Sequence, residues 1–467
     1  MQGETQIYHQ KSDCPIVIMK LVKASGVKGT AGRRFLEGKA AQHGRLGMPA
    51  EFKKIKYQAI HYPTVQGIMH YVNEQTLMAV HQRQDIRKAT GIDGVNKLKY
   101  DENAAENIHQ LVERMRKFQY KPQPVRRAYI PKLNGKQRPL GIPSYEDRLV
   151  QGVMADLLST VYEERFLDGS YGFRPKRGVH DVVRYINRTI MGKRVNYILD
   201  ADIRGFFDNV NHAWLMKFLE HDIQDCNFLY YIERFLKAGV MEGNQLRDSD
   251  KGTPQGGLIS PVLANVYLHY VLDLWMERRM KKKVKGGMYY VRYADDFLIM
   301  FQWEEDAIEV LGELRHRLER FGLELSEDKT RILPFGRYRK TEKTFDFLGF
   351  TFYNTLSRNG KYRVGIRTCA KKLRAKVQAA KLWLHSRLVE PINETMKTLS
   401  RALQGHNAYY GINGNLNSVQ TFYYIVGRMT YKMFNRRSQK AKVSWEKFAR
   451  IWKFHIKEPR VLVNIWY

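Results

Sequence analysis

Tyr290-Val291-Arg292-Tyr293-Ala294-Asp295-Asp296-Phe297-Leu298-Ile299-Met300-Phe301 sets two adjacent carboxylates between two apolar, β-prone segments. That is the pattern of a hairpin with acids at its bend. Taken alone, an acid pair in a turn is more often a solvated cap than a site. Residues 197–208, Tyr-Ile-Leu-Asp-Ala-Asp-Ile-Arg-Gly-Phe-Phe-Asp, change the reading, because a second apolar strand also carries acids into a turn. Alternation along 197–203 puts Asp200 and Asp202 on one face. Two strands that each deliver carboxylate oxygens to one point can hold a pair of Mg²⁺ ions, which prefer oxygen ligands. Such a pair can activate a 3′-hydroxyl and stabilise a leaving pyrophosphate in an in-line displacement.

A chain of 467 residues predicts two or three domains. Its 79 Lys and Arg against 47 Asp and Glu leave a net charge of +32, and nucleic acid is the natural counter-charge. An anionic membrane surface is the alternative. However, no apolar run reaches transmembrane length, and Ile16-Val17-Ile18-Met19 is too short for a signal peptide. Cys14, Cys226 and Cys369 lie far apart with no Cys-x-x-Cys spacing. Neither a zinc ribbon nor a disulfide framework is expected, and a reducing cytoplasm fits best.

Three stretches in order carry a family resemblance: Asp202 followed by Phe206-Phe207, then Gly252-Thr253-Pro254-Gln255-Gly256-Gly257, then Tyr293-Ala294-Asp295-Asp296 after a basic strand. Together they resemble a reverse transcriptase. More specifically, they resemble the protein encoded by bacterial group II introns, which is also a splicing maturase. The similarity runs from about residue 75 to about residue 435, and Gly91-Ile92-Asp93-Gly94 is familiar from the same proteins.

The resemblance implies an α+β right-hand polymerase fold, with fingers, a palm built on an antiparallel sheet, and a helical thumb. The expected division is a basic arm over 1–60, fingers and the start of the palm over 61–190, palm over 191–360, and a basic thumb or maturase domain over 361–467. Asp202, Asp295 and Asp296 would be catalytic and bind two Mg²⁺ ions, for which Mn²⁺ can substitute, with the backbone carbonyl of Ile203 as a further ligand. The stretch 126–143 reads as a hairpin through Asn134-Gly135, with Lys132 and Arg138 on its arms. These match two basic positions that close on the incoming triphosphate, although a solvated basic hairpin has the same pattern. Phe207 falls where the family places an aromatic wall under the sugar, which selects deoxynucleotides; a core Phe is the alternative. Gln255 would lie near the nascent base pair. Arg174, Lys329 and Gly349 are expected on nucleic acid, Gly349 within the strand Phe347-Leu348-Gly349-Phe350 that supports the primer; a cap on the next helix is the alternative for Arg174, and a surface role for Lys329.

Helices are predicted over about 103–118, 144–168, 212–221, 226–238, 262–275 and 304–321, with Leu149, Val153, Leu157, Leu158 and Val161 at core spacing in the second. Residues 1–60 hold eleven Lys and Arg against four acids and read as a flexible arm. Residues 361–467 carry twenty-two Lys and Arg against four Glu. There Val419, Phe422, Val426, Met429 and Met433 line one helical face. Two departures stand out. His406 occupies a position where the maturase signature has Trp, and the family's DNA-binding and nuclease segments have no evident counterpart. The expected function is RNA-directed DNA polymerisation with binding of group II intron RNA, assistance to splicing, and copying of an RNA template from a DNA primer with deoxynucleoside triphosphates for intron mobility. A domesticated enzyme of host defence or repair is an alternative. So is a non-catalytic splicing cofactor, although a relic polymerase would be expected to have lost a carboxylate.

Overall fold

The computed structural model describes residues 52–131, 137–243, 245–247, 252, 256–339, 341–437 and 442–466. Among them the chain is mixed α and β. The strands are β1 (Val125–Pro131), β2 (Gln137–Ile142), β3 (Tyr197–Asp202), β4 (Val240–Glu242), β5 (Gln245–Arg247), β6 (Met288–Tyr293), β7 (Asp296–Phe301), β8 (Arg331–Pro334), β9 (Thr344–Phe347), β10 (Phe350–Leu356) and β11 (Tyr362–Thr368). They form three small sheets, ordered β2-β1-β4-β5, β6-β7-β3-β8 and β11-β10-β9. Of the described residues, one compact unit takes those up to Gly178 together with Leu199–Ile332. The other takes Val179–Ile198 and the chain from Leu333 onward.

The first unit is built on the helix Tyr145–Tyr162. Leu149, Val153, Leu157, Leu158 and Val161 are buried as their spacing predicts, and so are Val150, Met154 and Tyr162 on the other faces. A helix buried on nearly every face, polar positions such as Arg148 and Gln151 included, lies in the interior. Its one buried carboxylate, Asp147, is satisfied by the Tyr120 hydroxyl and by the amide of Gln123 at 2.9 Å. The helices His212–Asp222 and Cys226–Leu236 start where side-chain oxygens cap them: Asn211 accepts from Trp214 N at 3.0 Å and Asp225 from Phe228 N at 3.0 Å. The stretch read as a flexible arm is corrected at its end. Residues Lys53–His61 are helical, and Phe52, Ile55 and Ala59 are buried in the core; residues 1–51 lie outside the described residues.

In the second unit the helices Ala370–His385, Ile392–Tyr410, Leu416–Arg436 and Trp445–His455 share one apolar cluster. Trp383, Met396, Leu399, Phe422, Val426, Met433, Phe448 and Trp452 form its buried centre. The predicted stripe of Val419, Phe422, Val426 and Met433 therefore faces inward, with Met429 partly buried beside it. Gly336 meets Val195 so closely that a Cβ would sit 2.0 Å from its carbonyl oxygen, and its φ is +126°. Gly336→Ala is therefore expected to destabilise this unit by about 2 kcal/mol or more, read as a lowered denaturation midpoint. An unchanged midpoint would mean that the backbone here yields freely.

Candidate active site

The β6–β7 register runs from Met288↔Phe301 to Tyr293↔Asp296, so Ala294 and Asp295 form a two-residue bend and Asp296 opens the return strand. Asp295 is half-buried and Asp296 is buried. Ala294 has φ +58°, a left-handed conformation that costs a side-chain-bearing residue about 1 kcal/mol. The back of the bend is closed by residues 169–172. Arg292 N donates to Gly169 O at 2.8 Å, and Tyr171 N donates to Arg292 O at 2.9 Å. A Cβ on Gly172 would lie 2.2 Å from Ala294 N, so only glycine fits there.

β3 is the sheet neighbour of β7 and ends at Asp202. Every residue of β3 is buried, so the strand is covered on both faces. Asp200 and Asp202 each meet a cation: Arg331 Nε is 3.5 Å from Asp200, and Lys329 Nζ is 2.8 Å from Asp202. The cations, like the acids, are two residues apart. Ser326 N donates to Asp202 O, and Arg204 N to Glu324 O, both at 2.8 Å. These two bonds flank Ile203, which bridges Leu325. Past this point Phe206 is core at 2% exposure. Phe207 is only half-buried, set edge-on to Phe206 at 5.3 Å and to Phe173 at 6.5 Å. Among the described residues, no three His, Cys, Asp or Glu side chains are gathered as a ready-made metal cluster.

Residues 130–352 match the family described as "Reverse transcriptase (RNA-dependent DNA polymerase)". Protein YkfC of Escherichia coli (strain K12) is 33% identical over 304 residues, covering 59% of this chain and 78% of that protein. The chain belongs to the reverse transcriptase family. The match holds the β6–β7 bend, β3 and the turn after it, and it carries the enzyme class, RNA-directed DNA polymerase. Group II intron-encoded protein LtrA of Lactococcus lactis subsp. cremoris is 31% identical over 325 residues, 55% of this chain and 52% of that protein. This reverse transcriptase thus spans about half the length of LtrA. Nuclear intron maturase 2, mitochondrial, of Arabidopsis thaliana is 26% identical over 178 residues, 29% of this chain and 24% of that protein.

The other expected site residues of this reverse transcriptase fare differently. β1 and β2 pair as the predicted hairpin, closing at Pro131↔Gln137, with the backbone of Arg138 opposite Ile130. Lys132, Asn134-Gly135 and Gln255 lie outside the described residues. Arg174 corrects its expectation. Its side chain is 2% exposed, paired with Glu163 at 3.1 Å and donating to the carbonyls of Leu167 at 2.7 Å and Ser170 at 2.8 Å. An arginine spent on interior acceptors has no fork left for phosphate, and it serves to hold the loop behind the bend. Phe347-Leu348-Gly349-Phe350 is a two-residue hairpin turn rather than a strand. Leu348 and Gly349 both have positive φ, and a Cβ on Gly349 would come 2.9 Å from the Tyr410 hydroxyl. In the second unit His406 lies between the rings of Tyr410 and Phe422, at 4.8 and 4.2 Å. Burial, and then Lys376 beside it, hold its imidazole pKa well below the usual value. Among the described residues no helix is long and apolar enough to cross a membrane.

One network escaped the sequence reading. Arg292 is fully buried and pairs with the equally buried Asp273, Nε to Oδ1 at 2.7 Å and Nη2 to Oδ2 at 2.5 Å. Its remaining donors reach Ser170 Oγ at 2.7 Å, Asn265 Oδ1 at 3.0 Å and Ala294 O at 2.8 Å. The available signal was a lone arginine in an otherwise apolar strand, directly before the acids.

Proposed function

We propose that this chain is an RNA-templated DNA polymerase of group II intron type, which binds its intron RNA, assists its splicing and copies RNA into DNA from a primer. The observation that carries the reading is the adjacency of β3 and β7 in one sheet. One strand ends on Asp202 and the other begins on Asp296, with Asp295 in the bend before it. The donor set is all-oxygen, as Mg²⁺ requires. Asp202 also already holds a cation, the Lys329 ammonium at 2.8 Å. Asp202, Asp295, Asp296 and the carbonyl of Ile203 would hold two Mg²⁺ ions, with Mn²⁺ as a substitute. When bound, the ions supply a lowered pKa at the primer 3′-hydroxyl and neutralise charge on the leaving pyrophosphate.

In the same reading Lys132 and Arg138 fix the triphosphate of the incoming deoxynucleotide, Gln255 lies at the nascent pair, and the half-exposed ring of Phe207 stands under the sugar. Lys329 is released from Asp202 toward the nucleic acid as the ions enter, and Gly349 supports the primer from its hairpin turn. Residues 61–190 begin the fingers and palm, 191–360 complete the palm, and 361–467 form a basic helical thumb.

Twenty-two Lys and Arg in 361–467 against four Glu support an RNA grip of strong salt dependence, each neutralised phosphate steepening log K against log salt by about 0.7 to 0.9. Any basic protein shows that slope. Folded intron RNA in addition offers shape and exposed loops. A group II intron RNA that this chain recognises is therefore expected to bind at least tenfold more tightly than a duplex of equal length, and to stay bound at salt where the duplex has dissociated. Equal affinities throughout a salt titration would leave the polymerase standing and defeat the splicing role.

A further inference from the structure

We infer that Arg292 is a positioning residue of the polymerase reaction: pinned by Asp273, it sets the peptide of Ala294 from beneath and so aims Asp295 and Asp296. This rests on the proposed reading of those two acids as metal ligands. The geometry is unusually complete. A guanidinium has five N–H donors in a planar fork, and here five bonds use them: two to Asp273, one each to Ser170 Oγ, Asn265 Oδ1 and Ala294 O. Asp273 in turn accepts from the Tyr290 hydroxyl at 2.8 Å, and Asn265 Nδ2 donates to Gly172 O at 2.7 Å. Asp273 closes the π-helical turn His269–Asp273, a widened turn of the kind that often serves a site.

A buried ion pair is weak evidence of stability, since apolar side chains of similar volume do as well or better. What the pair supplies here is direction. The one fork bond that leaves the interior network ends on the carbonyl of Ala294, the residue held at φ +58°, immediately before Asp295. Gly172, clamped through Asn265, lies against the amide of that same residue. The bend is thus held at both peptide faces, and a floppy bend would place its carboxylates at random relative to Asp202. Lysine keeps the charge but has no planar fork, so it cannot bond Asp273, Asn265 and Ala294 together.

The test uses the full chain. Arg292→Lys is expected to lower kcat for primer extension at least tenfold, with KM for the deoxynucleotide and RNA affinity within about twofold of the parent. Mn²⁺ affinity, read by electron paramagnetic resonance without nucleotide, is expected to fall at least fivefold. Asn265→Ala keeps the ion pair and loses only the tie to Gly172 and one fork bond. It is expected to weaken Mn²⁺ in the same direction, by about threefold, at a melting temperature near the parent's, and it decides the matter should Arg292→Lys fail to fold. Parental Mn²⁺ affinity in folded variants, with activity falling only as the folded fraction falls, would overturn the inference. Its failure is separable from that of the reading beneath it. If Asp295→Ala still polymerises, the bend is not the metal site; if Asp295→Ala is dead while the Arg292 and Asn265 variants bind Mn²⁺ like the parent, only the positioning role is lost.

Discussion

Asp295→Ala is expected to abolish DNA synthesis, lowering primer extension by at least a thousandfold, while leaving RNA affinity within about twofold of the parent. A thousandfold loss corresponds to about 4 kcal/mol of barrier, the scale on which a lost metal ligand acts. Asp295 occupies a two-residue bend and is half-buried, so its truncation empties no core position. The substitution also removes negative charge from a protein of net charge +32, so any loss of binding would run against electrostatics. Extension and RNA binding are to be measured on one preparation. Extension within about tenfold of the parent, a barrier change of only about 1.4 kcal/mol, would remove this bend from the metal site.

Phe207→Ala is expected to admit ribonucleotides, cutting discrimination against them at least tenfold with little loss of deoxynucleotide incorporation. Two adjacent phenylalanines follow Asp202, and the structure separates them. Phe206 is core at 2% exposure, whereas Phe207 is half-buried and touches Phe206 and Phe173 only by ring edges. Phe206→Ala is accordingly expected to destabilise the protein by roughly 3–5 kcal/mol and to leave sugar selection unchanged in the folded fraction. Competition between ribo- and deoxynucleotides in single-nucleotide extension reads both. If the Phe207 variant discriminates as its parent does, the sugar is sensed by another side chain.

What could be read from the chain divides by the range of the interactions involved. The helix at 145–162 and the β6–β7 hairpin were legible because period and turn chemistry are local, and both are written within fewer than twenty residues. The pairing of β3 with β7 was inferable only from chemistry, since acids that must share an ion must meet. Arg174 was misread for a related reason. Its residue type argues for a surface, and nothing nearby in sequence announces that Glu163 and two loop carbonyls satisfy it inside. The Arg292 network was invisible because Ser170, the helical pair Asn265 and Asp273, and Arg292 come from three segments that meet only after folding. The same holds for the discontinuous division of the chain, in which Val179–Ile198 groups with residues from Leu333 onward. Gly349 was placed in a strand because the apolar Phe347-Leu348-Gly349-Phe350 masks a turn that positive φ at Leu348 and Gly349 makes possible.

Under the proposed function, carboxylates at the ends of β3 and β7 run templated DNA synthesis with divalent ions. Extension of a DNA primer on an RNA template of known sequence by the purified full chain, first with the divalent ions chelated and then with Mg²⁺ restored, decides this. No extension is expected under chelation, and on restoring Mg²⁺ a product complementary to the template, absent from Asp202→Asn and Asp295→Ala protein that binds the same RNA. Folded, RNA-bound parent protein that adds no templated deoxynucleotide at any Mg²⁺ or Mn²⁺ concentration, or the same product from either variant, would contradict it.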